Sequence, residues 1–166
     1  METARSVLEE YVASGKLMQV ATLSENGNPA VCHVWYHCGF HPDRLFFISR
    51  RDRDHSVNIR RNEWVAGGIV TIPLSGLGQV VRGVTFKGRA RELNADAVAE
   101  LEGFLGRWPG ARRIITAERV ANDDTPSRLY EIRLDEWVLF DEETFPGSPR
   151  RTLPPSADLP AGRRCS

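Results

Sequence analysis

A tight turn set between two β-rich runs constrains this chain more than any other feature. KLMQVATLS and PAVCHVWYH flank the four residues ENGN. Asn26-Gly27 readily adopts the positive φ of a type I′ turn, so the segment predicts a β-hairpin. A second turn, CGFHPDR, leads into RLFFIS and extends the hairpin to a three-stranded meander. Three more runs follow. WVAGGIVTIP ends at Pro73. In VVRGVTFKGRARELN, Val84 and Phe86 point one way while Gly83, Thr85 and Lys87 point the other; Gly88 then permits a bend or bulge. In LYEIRLDEWVLFD, Tyr130, Ile132 and Leu134 alternate with Glu131, Arg133 and Asp135.

Helical spacing separates these runs. Val7, Leu8, Tyr11 and Val12 predict a helix over Ser6 to Gly15. A short helix is expected after Asp54, with Asp54 as its N-cap and Val57 and Ile59 within it. Val98, Leu101, Phe104 and Leu105 mark a helix from Ala95 to Arg107, with Asn94 as cap. A further helix is expected over Ala111 to Arg119. About six strands, several joined by tight turns and decorated with helices, predict a mainly β, antiparallel barrel.

Lys plus Arg and Asp plus Glu balance at 22 each. That argues against a generic nucleic-acid or membrane-surface binder, which carries excess basic charge. No apolar run approaches the ~18 residues of a membrane span, and no apolar leader is seen. Cys32, Cys38 and Cys165 have no disulfide-like spacing, so a reducing cytoplasm is the expected compartment. Residues 1–145 are expected to form one domain. From Phe145 onward the chain holds five prolines, so 146–166 is expected to be a Pro/Arg-rich tail, mobile or laid across a partner.

Three clusters are candidates for chemistry. Arg50, Arg51 and Arg53 lie between a strand end at Ser49 and a helix starting near His55. Strand-to-helix turns suit phosphate, because free N–H groups and the helix dipole attract anions and Arg donates in pairs. A solvated charged loop is the alternative, since Asp52 and Asp54 share the turn. Cys32, His33, His37, Cys38 and His41 resemble a metal set on paper. On a strand, however, His33 and His37 stand about 13 Å apart, too far to share a zinc. The third cluster is RGVTFKG, where Gly83 lets a ligand or second chain approach the outer face. Alone, it reads more readily as an exposed strand face with a glycine kink. Hydrolase, P-loop and zinc-protease signatures are lacking.

Taken in order, VATLSENGNPAVCHVWY, RLFFISRRDRDHSVNIRRNEWVAGGIV and VVRGVTFKGRAREL resemble the pyridoxamine phosphate oxidase-like FMN-binding split barrels. FLGRWPGARR and LYEIRLDEWVLFD add a likeness to small uncharacterised bacterial members. The resemblance implies a six-stranded antiparallel split β-barrel of Greek-key type with peripheral α-helices. It also implies a homodimer with FMN at the subunit interface. Cys32, His33, Val34 and Trp35 would run beside the flavin ring, largely through their backbone. Ile48 and Ser49, then Arg53 and His55 with Arg51 beside them, would hold the phosphate. Arg82, Gly83, Thr85 and Lys87 would meet the ring edge.

The expected activity is a flavin-dependent oxidoreduction of an unidentified small molecule, with His33 and Lys87 as acid–base candidates by position. A non-enzymatic flavin binder, a heme binder using His33 or His37, and a deazaflavin-dependent reductase are the alternatives. Two departures set the chain apart from pyridoxamine phosphate oxidase itself. Arg53-Asp54-His55 stands where that enzyme has a serine-arginine-lysine cluster, and TFPGSPRRTLPPS lacks its tryptophan and arginine motif. Synthesis of pyridoxal phosphate is therefore not expected.

Overall fold

The computed structural model describes residues 3–157. Helix α1 spans Ala4–Ser14, capped by Thr3, whose side chain accepts from the Ser6 amide. Strands β1 (Leu17–Leu23), β2 (Pro29–Gly39) and β3 (Arg44–Arg50) form the meander. Helix α2 (Asp54–Arg61), β4 (Trp64–Ile69), β5 (Arg82–Glu92) and α3 (Val98–Arg107) follow. A 3-10 turn at Pro109–Arg113, helix α4 (Ala117–Ala121), β6 (Ser127–Asp141) and β7 (Arg150–Leu153) complete the order. Among the described residues, no helix is long and apolar enough to cross a membrane.

All strand pairs are antiparallel, in the order β3-β2-β1-β4-β5-β6-β7. Pairing of β3 with β6, from Arg44 opposite Arg133 to Arg50 opposite Ser127, closes the first six strands into a barrel. Alternation fills it: Val20, Val34, Tyr36, Phe47, Val84, Phe86, Tyr130, Ile132 and Trp137 are buried in one cluster. Phe47 stacks on Tyr130 with centroids 5.1 Å apart. Helix α2 packs against β1, where buried Asn58 donates to the buried hydroxyl of Thr22 at 3.0 Å. The predicted irregularity at Gly88 is present: the β5–β6 register shifts there and Asp135 is the extra residue.

A second apolar cluster lies outside the barrel. Phe46 on β3 and Leu129 on β6 face outward and need cover; Leu101, Phe104 and Leu105 of α3, with Ile115, supply it. This cluster fixes α3 against β3 and thereby shapes the site described below.

Several local expectations are corrected. The hairpin forms, but only Gly27 has positive φ. Gly27 donates to the Ser24 carbonyl and Ser24 to that of Asn28, a longer loop that leaves Asn26 unstrained. Helix α2 begins one residue early, so Arg53 is the N-cap and Asp54 lies inside, near the positive helix end. Ala97, not Asn94, caps α3, because Asn94–Asp96 form a separate turn whose Asn94 carbonyl accepts from Ala97. The expected helix over 111–119 divides into the 3-10 turn and α4, where Thr116 caps a new start at 3.3 Å from the Arg119 amide.

The tail also departs from expectation. Arg150–Leu153 form β7 against Trp137–Phe140. Pro149 and Pro154 bound this strand without entering it, so its amides remain available. The edge of β6 is thus covered by β3 along its first half and by β7 along its second. Residues 158–166 and Cys165 lie outside the described residues.

Candidate functional site

Tyr36–Gly39 of β2 pair with Arg44–Phe47 of β3, and the pairing ends there. Beyond it β2 follows β1 while β3 follows β6. Helix α3 and the 3-10 turn pack beside the parting strands. A cavity of about 470 Å³ results, lined by His33, Val34, Trp35 and Ile48 on one side and Phe104, Trp108, Ala111 and Ile114 on the other. That volume falls in the range of small-molecule sites.

Alternation along β2 buries Val34 and Tyr36 and turns His33 and Trp35 outward. Trp35 meets Trp108 edge to face, with centroids 4.9 Å apart and planes at 69°. Trp108 is anchored, since its Nε1 donates to the Tyr36 carbonyl at 2.7 Å and the Arg107 guanidinium lies 5.3 Å over its ring. Arg107 in turn donates to the carbonyls of Ala13 and Gly15 at the end of α1. Cys32 packs against the barrel core, where burial pushes its thiol up to about 11.

The arginine-rich turn continues from Ile48. Ser49 Oγ and His55 Nε2 are hydrogen-bonded at 2.7 Å. Burial first, then the charge of Arg53, holds His55 below its ordinary value, so its neutral form is favoured near pH 7. Arg50 pairs with Asp52 at 2.6 Å and Arg51 with Glu92 at 3.0 Å. Arg53 is exposed and has no ion-pair partner among the described residues. The first α2 amide bond is Val57 to the Arg53 carbonyl, which leaves the amides of Asp54, His55 and Ser56 without a helical acceptor. One uncommitted guanidinium and three free amides, beside a serine and a histidine, fit a phosphate.

The β5 residues lie elsewhere on the barrel. His33 is opposite Gln19, Gln19 opposite Gly68, and Gly68 opposite Thr85. Three strand steps separate His33 from Thr85, about 14 Å. Arg82, Gly83 and Thr85 line a separate open groove of about 620 Å³. Arg82 is committed to Asp141 at 3.0 Å, and its carbonyl accepts from Tyr11. Lys87 pairs with Glu136 at 3.0 Å. A single chain therefore brings together the β2 and β3 residues but not the β5 residues.

The cysteine and histidine group does not converge. Cys32 and Cys38 pack on the barrel core, whereas His33 faces out. His37 lies under α3, 6.2 Å from the Phe46 ring, with Nδ1 enclosed and unpartnered among the described residues.

Sequence reasoning missed the opposite cavity wall. In GRWPGARRII the only cue was a pair of isoleucines: Ile115 is fully buried while Ile114 is 52% exposed toward the cavity mouth. It read WVAGGIVTIP as a strand but missed the exposed apolar loop that follows, in a run from Trp64 to Val81 that contains no charged residue. Leu74 and Leu77 of that run are 81% and 112% exposed.

A closed six-stranded antiparallel barrel with a helix-roofed cleft outside it is the architecture of the split-barrel class. The family model described as pyridoxamine 5'-phosphate oxidase matches residues 5–141, and the chain belongs to that family. A search of curated proteins gives no match. The structure is similar to that of a heme binding protein from Mycobacterium smegmatis, at 16% identity and a TM-score of 0.74. That match covers 93% of this chain and 59% of the other. A FAD-binding protein from Mesorhizobium loti matches at 15% identity and a TM-score of 0.61, over 82% of this chain and 92% of that one. A structure described as an F420 reductase matches at 18% identity and a TM-score of 0.56, over 78% and 94%. At these identities the likeness is one of fold.

Proposed function

We propose that this protein binds FMN in a homodimer and uses it in an oxidoreduction of a small molecule other than pyridoxamine phosphate. One observation carries the proposal: Ile48 lines the aromatic cavity between β2 and α3, and the next residue, Ser49, bonds His55 in a turn equipped for phosphate. Arg53, Ser49, His55 and the free amides of α2 hold the phosphate end. His33, Trp35 and the β2 backbone orient the ring, and α3 with the 3-10 turn excludes water from one side. FMN, when bound, supplies the electron-transfer chemistry.

The second protomer supplies the ring-edge contacts from Gly83, Thr85 and Lys87, which one chain leaves about 14 Å away. The uncharged exposed loop beside that groove, with Val70, Leu74, Leu77, Val80 and Val81, supports a second copy as its cover. Light scattering should give twice 18.6 kDa at micromolar concentration; a monomer would refute the shared site.

Arg53→Ala tests the phosphate assignment. Charge-assisted hydrogen bonds contribute about 1.5–3 kcal/mol, so FMN affinity should fall about 10- to 100-fold. Riboflavin, lacking the phosphate, should bind as before. Equal losses would assign Arg53 to folding, and no loss would place the phosphate elsewhere.

Heme is the second reading, favoured by one observation: His33 is exposed at the cavity edge. His37 is enclosed under α3 and is not a suitable axial ligand. The absorption spectrum separates the two, since flavin bands support FMN and a Soret band supports heme.

A further inference from the structure

The cavity has two unlike walls. With the β2 and β3 wall assigned to the flavin, the other wall faces whatever lies against the ring. It consists of Phe104, Trp108, Ala111 and Ile114, joined by Pro109 and Gly110. Among the described residues, no Asp, Glu, Lys or Arg lines the cavity, and His33 is its one titratable lining residue. The nearby arginines are occupied or turned away. Arg107 donates to the carbonyls of Ala13 and Gly15, Arg112 pairs with Glu102 at 2.7 Å, and Arg113 is exposed outside the lining.

The shape is as restrictive as the charge. The indoles of Trp35 and Trp108 stand at 69° and form a corner. Trp108 is fixed there by its bond to the Tyr36 carbonyl, so the corner is preformed. A flat ring can stack on one indole face while presenting its edge to the face of the other, the two favoured aromatic arrangements. A charged group entering the cavity would lose water and find no counter-ion among the described lining residues.

We propose that this cavity accepts an uncharged, flat aromatic molecule of about two fused rings, and that such a molecule is the substrate class. Its role as substrate rests on the flavin reading above; its binding does not. A phosphorylated or carboxylated substrate is disfavoured, because the helix wall offers no cation among the described residues.

The test compares 2-naphthol with 2-naphthalenesulfonate, which share a ring system and differ in charge. Each is titrated calorimetrically into the full-length protein, with and without saturating FMN. FMN binding is followed separately by quenching of flavin fluorescence. 2-Naphthol should bind in both states, and the sulfonate about 10- to 100-fold more weakly, the penalty of an unpaired buried charge. Ile114→Arg places a cation on an exposed lining position and should reverse that preference. Equal binding of the two probes, or binding of neither, overturns the proposal. Exclusion of 2-naphthol by FMN would also overturn it, because the cavity would then belong wholly to the flavin. Selective 2-naphthol binding without any FMN binding would overturn the cofactor assignment and uphold the cavity's specificity.

Discussion

Removal of the Asp43 carboxylate should destabilise the protein more than any other single polar change, because four hydrogen bonds from three residues converge on it. Asp43 is 3% exposed and directly precedes β3. It accepts from Arg5 of α1, through Nη1 at 2.7 Å and through Nη2. It accepts from Nε1 of the fully buried Trp137 at 2.7 Å and from the Ser156 amide at 3.2 Å. Burial pushes its carboxyl up, but the Arg5 and Trp137 hydrogen bonds outweigh that and hold it below the usual carboxylate range. Asp43→Ala leaves the Trp137 donor buried and unpaired, at a cost of about 1–3 kcal/mol. Breaking a buried ion pair costs about 3–5 kcal/mol, and roughly half is expected here because Arg5 retains some solvent contact. The sum is about 4 kcal/mol, or about 2 M in the urea midpoint for a slope of about 2 kcal/mol/M. Asp43→Asn keeps an acceptor and loses the charge, so about half that shift is expected. Trp137→Phe should cost about 1–3 kcal/mol less in the Asp43→Ala background than in the wild type, the signature of a shared hydrogen bond. Urea unfolding followed by tryptophan fluorescence reads all of these. A midpoint shift below about 0.5 M for Asp43→Ala, or additivity with Trp137→Phe, would show that the node does not hold α1, β6 and the tail together.

Other consequences are as open to measurement. Gly67→Ala would drive a methyl into the Gln19 carbonyl and the Phe86 ring inside the barrel; a loss of about 3 kcal/mol is expected, and an unchanged thermal midpoint would contradict the packing. Acid should weaken the fold in two stages. Burial first, then Arg107, lowers His37, and burial with Arg53 lowers His55. Stability from their neutral forms is therefore complete above about pH 6.5 and declines as pH falls through the lower folded values. Burial raises Glu131, but Arg91 and Arg44 outweigh it, so its contribution holds above about pH 4.5 and is lost below. His37→Gln should flatten the first stage and Glu131→Gln the second in urea midpoints measured against pH. Truncation after Gly147 should lower the thermal midpoint by removing β7 and the partly buried Leu153, yet unfolding should stay cooperative because β3 and β6 close the barrel without it. A midpoint identical to that of the full chain would mean that β7 does not contribute to the fold.

Local pattern was enough to predict the barrel. A period of two in Val84 and Phe86, and in Tyr130, Ile132 and Leu134, distinguishes inside from outside without any partner strand, because side-chain direction is a property of the single strand. Gly27 and Gly88 likewise marked a turn and a bulge from their own chemistry. The arginine-rich turn was legible as a cation cluster, but the sequence held three equivalent arginines. Only the fold committed Arg50 to Asp52 and Arg51 to Glu92 and left Arg53 uncommitted, since Glu92 reaches that turn from β5, far along the chain. The cavity belongs wholly to tertiary structure. It exists because β2 and β3 part after Phe47 and because Phe46 and Leu129 draw α3 onto the barrel exterior. That step joins residues from 33 to 114, and no short-range pattern encodes which distant apolar face will cover another. The strand β7 was hidden for the same reason. Four residues between prolines have no stability of their own and become a strand only when the open edge of β6 supplies their hydrogen bonds.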